Sequence, residues 1–161
     1  MIRYLKICLV SFVALFCLMY ATQNLVNLSA AYNFVADTVS MGNQVVYPRS
    51  FGPAIHSPPL IWILLCIIIT LEIAAGLLAA KGAMDLWKTR NDDAETFNNA
   101  KTFAISGAGM AIVIWFGLFS TIGGAYFQMW QTELGAVALQ GAFQYAVLNG
   151  IVLIFVNMTD T

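Results

Sequence analysis

A chain of 161 residues with 60% hydrophobic residues, 9% charged residues and a net charge of −1 cannot cover a soluble domain. Such domains carry about a quarter charged residues. The mean hydropathy of +0.79 makes lipid the solvent for most of the chain, and without a basic excess there is no field to hold nucleic acid.

In chain order, the first apolar segment, "MIRYLKICLVSFVALFCLMYA", has the basic start, apolar stretch and small residue of a signal peptide. Cys17 follows Phe16 rather than a small residue, which argues against a lipoprotein site. The segment is read as a transmembrane helix. A span needs about 20 mostly apolar residues, and four stretches qualify: about 4–26, 59–80, 102–127 and 139–156. The last is the shortest and most polar. The three cysteines, Cys8, Cys17 and Cys66, lie inside apolar runs without CxxC spacing and read as small buried hydrophobes.

Lys and Arg set the orientation. Arg3, Lys6, Lys81, Lys88, Arg90 and Lys101 fall on one side of the spans, and only Arg49 falls on the other. Both termini are therefore expected in the cytoplasm. Trp62 and Trp130 mark the outer interface, and Trp87 lies just past the inner end of span two.

The outer loop, about 27–57, divides in two. In "NLSAAYNFVADTVSM" the residues Leu28, Ala31, Tyr32, Val35 and Val39 share one helical face, which predicts a short amphipathic helix on the membrane surface. "YPRSFGPAIHSPP" holds four prolines and cannot be regular helix. With its aromatics and Arg49 it is expected to form an ordered cap. The inner loop holds most of the charges. Asp92 and Glu95 have capping-box spacing, which predicts a helical hairpin with a new helix starting near Asp93.

Glu72, in "IIITLEIAAGLLAA", is the acid inside a span. Intramembrane carboxylates face bundle interiors and have partners. Gly76 with Ala79 or Ala80 extends its stripe by one and two turns, so it is expected to face protein. In span three the stripe Ser106, Gly109, Val113, Gly117, Ser120 and Gly124 is the matching set of small residues. Glu72 lies nine residues from Lys81, about 13 Å at the helical rise. The same depth on span four is near Asn149, with Tyr145 one turn away and Gln144 beside it. The expected intramembrane polar cluster is Glu72, Asn149, Tyr145 and Gln144, with Glu72 bonded to Asn149 or Tyr145.

His56 is the single histidine, which excludes bis-His haem and multi-His zinc within the chain. No nucleophile triad, Walker loop or dinucleotide fingerprint is present, and no cofactor or metal is expected. "TIGGAYFQMWQTELGA" ends span three with paired glycines, aromatics and two glutamines. It is an aromatic belt with a turn, or a docking edge for the Pro-rich outer loop or another subunit. Arg49, His56, Tyr126, Gln128, Trp130 and Gln131 are the expected outer-face loop cluster. Gln140 and Gln144 add a polar stripe below it.

The blocks "QNLVNLSAAYNFV", "YPRSFGPAIHSPPLIW", "LEIAAGLLAAKGAMDLW", "WFGLFSTIGGAYFQMWQTELG" and "GAFQYAVLNGIVLIFVN" resemble a bacterial family of predicted small integral membrane proteins, domain of unknown function 2165. The resemblance covers nearly the whole chain. It implies four spans in a bacterial inner membrane, and it brings no catalytic residue or cofactor to transfer.

The expectation is an all-α integral membrane protein forming one four-helix domain over 1–161. The first functional reading is a non-enzymatic accessory or assembly subunit, with the bilayer and another membrane protein as partners. The alternatives are a transporter or channel component using Glu72, and a lipid-acting enzyme at the outer face using His56 and Arg49.

Overall fold

The computed structural model describes residues 1–161. Six α-helices follow one another: α1 Ile2–Val26, α2 Leu28–Ser40, α3 Pro58–Lys88, α4 Ala94–Asn99, α5 Thr102–Ile112 and α6 Glu133–Asn157. Between α5 and α6 the chain continues as a π-helix, Val113–Tyr126, then a 3₁₀ turn, Met129–Gln131. Four helical stretches are long and apolar enough to cross a membrane: 2–26, 58–88, 94–126 and 133–157. The chain is all-helical, and these four stretches form its bundle. Both termini and the α3–α4 turn share one end of the bundle. There Arg3 donates to the carbonyls of Arg90, at 3.2 Å, and Asp92, at 2.6 Å.

α3 packs along α1 and α5, while α6 packs on α5 and the π-helix. One apolar core draws on all four spans, including Val10, Cys17, Ala79, Ala108, Ile114 and Ala142. Small residues let the backbones approach without a hydrophobic drive. Gly76 of α3 lies against Leu18 and the Ala14 carbonyl of α1, and a Cβ on Gly107 of α5 would collide with the backbone of Ala79. The Glu72, Gly76, Ala79 stripe is buried as expected. In span three the packing face differs from the expected one. Ala104, Gly107, Ala108 and Ala111 are buried, whereas Ser106 and Val113 are exposed. Span three is rich in small residues on more than one face, and in lipid the outward face need not be polar, so spacing alone does not select the face.

α2 exists over the expected residues. Val35 and Val39 pack on Ile61, Leu65 and Ile69 of α3, so the apolar face of the helix is turned to the bundle. Tyr32 stacks on Trp62 with centroids 4.6 Å apart. Leu28, expected on the same face, is exposed. An apolar cavity of about 100 Å³ lies between α2, α3 and the π-helix, lined by Phe34, Leu64, Phe119 and Met129 among others.

α4 is capped by Asp93, whose carboxylate accepts from the Thr96 amide at 2.8 Å. The cap is thus Asp93, one residue beyond the expected Asp92. The π-helix replaces the half of the expected regular span that lies away from the termini. Its carbonyls accept from residues five ahead, as Ile122 does from the Phe127 amide at 2.9 Å. The Ser120 and Thr121 hydroxyls add donors to the Trp115 and Phe116 carbonyls, both at 3.0 Å. In hydrocarbon such internal satisfaction is obligatory. Of the thiols, only Cys17 is buried, and Cys8 and Cys66 are exposed on the outer surface of the bundle.

Candidate functional site

Three polar assemblies stand out against the apolar bundle. The first is at Glu72, which is 1% exposed. Its Oε2 accepts from Nδ2 of Asn24 at 2.9 Å. Asn24 sits in the last turn of α1, one turn beyond Tyr20. The Tyr20 hydroxyl donates to that of Tyr145 on α6, and both rings pack on Trp115 with centroids 5.8 Å away. Phe16 completes this aromatic knot at 4.9 Å from Trp115.

The expected partners of Glu72 are therefore corrected. Asn149 is buried, but its Nδ2 donates to the Tyr145 carbonyl of its own helix at 2.8 Å. Tyr145 bonds Tyr20, and Gln144 is exposed. A depth count finds residues at a suitable height without saying which helix stands beside which. Here α3 turns the Glu72 stripe toward α1, so the partner comes from α1. Asn24 lies inside the first expected span, and its amide was the sequence signal for this contact.

The second assembly joins the α2–α3 loop to the α5–α6 connection. Oε1 of Gln131 accepts from the amides of Val46 and Tyr47, both at 2.8 Å, and its Nε2 donates to Oε1 of Gln128 at 2.5 Å. Gln44 donates to the Phe127 carbonyl. Tyr47 packs edge-on to Trp130 at 5.2 Å, and Phe51 to Tyr126 at 5.0 Å. Gln128 has a left-handed φ of 53°, which turns the chain from the π-helix into the 3₁₀ turn. The Thr132 hydroxyl then caps α6 by accepting from the Gly135 amide at 3.1 Å. Gly135 is required there, because a Cβ would overlap the Met129 carbonyl. Of the expected outer-face cluster, Tyr126, Gln128, Trp130 and Gln131 gather against the loop. Arg49 and His56 are exposed and take no part. What gathers here holds a loop down, with no acid, base or nucleophile converging.

The third assembly joins residues far apart in the sequence. Lys6 and Lys101 are 1% and 3% exposed. Their ammonium groups meet Oδ2 of Asp160 at 2.6 and 2.5 Å, and both donate to the Met158 carbonyl, at 2.6 and 2.7 Å. Asn98 Nδ2 donates to the Asp160 carbonyl at 3.0 Å, and its Oδ1 accepts from the Asp160 amide at 3.0 Å. Burial pushes the Asp160 carboxyl up, and the hydrogen bonds from Lys101 and Lys6 outweigh it, holding the group below the usual carboxylate range. Two residues counted as orientation signals thus form a latch on the segment after α6.

A family model described as predicted small integral membrane protein (DUF2165) matches residues 2–159. No curated protein and no solved structure matches.

Proposed function

This chain belongs to the family of predicted small integral membrane proteins (DUF2165), and within it we propose that the protein is a non-catalytic accessory or assembly subunit of a larger membrane complex. One observation carries the reading. The acid inside the spans is held by a neutral amide between packed helices: Glu72 meets Asn24 at 2.9 Å and is 1% exposed. Such a contact acts as a pin between α1 and α3, worth about 1 kcal/mol. The polar groups at the loop end bind backbone rather than converge on a substrate position, and large apolar side chains of α1 and α6, such as Phe12, Phe143 and Ile154, point outward.

The proposed setting is a bacterial inner membrane with both termini in the cytoplasm, supported by the excess of Lys and Arg at the termini end. The transport alternative keeps one supporting contact, the Tyr20–Tyr145 hydroxyl pair one turn from Asn24, which extends polar groups from Glu72 toward α6. Purification of the full chain from its native membrane in mild detergent, with mass-spectrometric identification of co-purifying proteins, tests the subunit reading. A stoichiometric partner set is expected. Recovery of this chain alone, homogeneous and folded, overturns it.

A further inference from the structure

α6 is the least enclosed span: 17% of its most apolar stretch is buried, against 33–39% for the others. Its buried residues are Gly135, Ala142, Asn149 and Val156, one in every seven, so it lays a single edge on the bundle. Gln140 and Gln144 stand two residues either side of Ala142. At about 100° per residue each lies about 200° round the helix, on the opposite pole. Both are exposed. Val137, Val147 and Ile151 share that pole and are exposed too. The order 137, 140, 144, 147, 151 alternates three and four, the spacing of a helix–helix seam.

Gln144 is eleven residues beyond Glu133, about 16 Å into a helix about 37 Å long. A side-chain amide at that depth has no water to bond and calls for a partner. We propose that this pole of α6 is an interface between two copies of the chain. The copies are related by a two-fold axis along the membrane normal, with the Gln140 and Gln144 amides paired across it. A primary amide carries both donor and acceptor, so it pairs with its own twin. Two copies inserted the same way place each glutamine opposite its twin at the same depth, with no adjustment. The pole bears no charge between Gln140 and Ile154, so like copies do not repel. The β-branched Val147 and Ile151 supply close packing, and the glutamines set the register. An unrelated helix would need amide partners at two matched depths. This inference is independent of the subunit reading, because it concerns copies of the chain and is read from the mass of a cross-linked product.

The test uses single cysteines in the full chain carrying Cys8→Ser, Cys17→Ala and Cys66→Ser, oxidised in the membrane in which it is expressed. Val137→Cys, Val147→Cys and Ile151→Cys should give a product of twice the chain mass, while the exposed off-pole controls Leu134→Cys and Phe143→Cys should not. In liposomes, energy transfer between labelled copies of the chain with both glutamines retained should report dimers. The double substitution Gln140→Leu and Gln144→Leu, on a lipid-facing surface that leaves the bundle intact, should weaken them about tenfold, at roughly threefold per amide pair. Equal cross-linking at pole and control positions, an adduct with a different protein, or dimers as tight with leucine as with glutamine overturns the proposal.

Discussion

Replacing Asp160 with asparagine removes the carboxylate that two buried ammonium groups share. Lys6 and Lys101 approach it at 2.6 and 2.5 Å, and the three side chains are 2%, 4% and 7% exposed. In the native cluster two positive charges face one negative charge; in Asp160→Asn two face none. The Met158 carbonyl and Asn98 Oδ1 still accept hydrogen bonds, but neither carries a charge. Removing one partner of a buried ion pair costs about 3–5 kcal/mol, a large part of the roughly 5–15 kcal/mol that stabilises a typical domain. The assay is reversible unfolding in mixed micelles of rising SDS fraction, followed by near-UV circular dichroism. Lys101→Met leaves the balanced Lys6–Asp160 pair and should cost less. Adding Lys101→Met to Asp160→Asn should recover part of the loss, because it removes one unpaired buried charge. The pH dependence follows from the lowered carboxyl. Its stabilisation is complete above the unfolded value of about 3.9 and is lost as pH falls through the lower folded value. Asp160→Asn should lack that acid-side loss. An Asp160→Asn variant within about 0.5 kcal/mol of the parent, or a double variant no more stable than Asp160→Asn, would refute the reasoning.

The remaining predictions concern packing and hydrogen bonds. Glu72→Gln keeps an acceptor for Asn24 and should unfold within about 1 kcal/mol of the parent in the same assay. Glu72→Leu strands the Asn24 amide and should cost about 1–3 kcal/mol; equal effects of the two would show that the Asn24 contact is not the pin. Gly107→Ala forces α5 from the Ala79 backbone and should cost about 1–3 kcal/mol. Gly109→Ala, whose added Cβ would find its nearest neighbour at 3.6 Å, should be neutral, and the order of the two midpoints decides. Gln131→Leu frees the Val46 and Tyr47 amides, so hydrogen exchange there should quicken several-fold while exchange in α3 is unchanged; protection that persists would mean the aromatic contacts alone hold the loop.

Much of this molecule was legible because membranes impose simple local rules. Composition identified the solvent, and the apolar runs gave four spans. The helices 58–88, 94–126 and 133–157 extend six to eight residues beyond the runs at 59–80, 102–127 and 139–156, because a helix continues past the apolar stretch that sits in lipid. Glu72 was recognised as facing protein because Gly76 and Ala79 repeat at helical spacing. The "YFQMWQ" edge was offered as a dock for the outer loop from its aromatics and glutamines, and Gln131 does hold the Val46 and Tyr47 amides. Arg49 and His56 were grouped with it for their chemistry alone, and chemistry does not fix where a loop side chain points.

Periodicity along one helix says which face is special, and it says nothing of which neighbour that face meets. The sequence by itself determined a lipid-embedded bundle of four helices with one acid inside it. Only the tertiary structure decided that the acid meets Asn24 of α1, that Ala104 and Gly107 rather than Ser106 and Gly109 form the close face of α5, and that Lys6 closes on Asp160 from 154 residues away. The widening of span three into a π-helix belongs with these. Its hydrogen bonds still run within one segment, so an apolar run of this length fits either helix, and composition does not tell them apart.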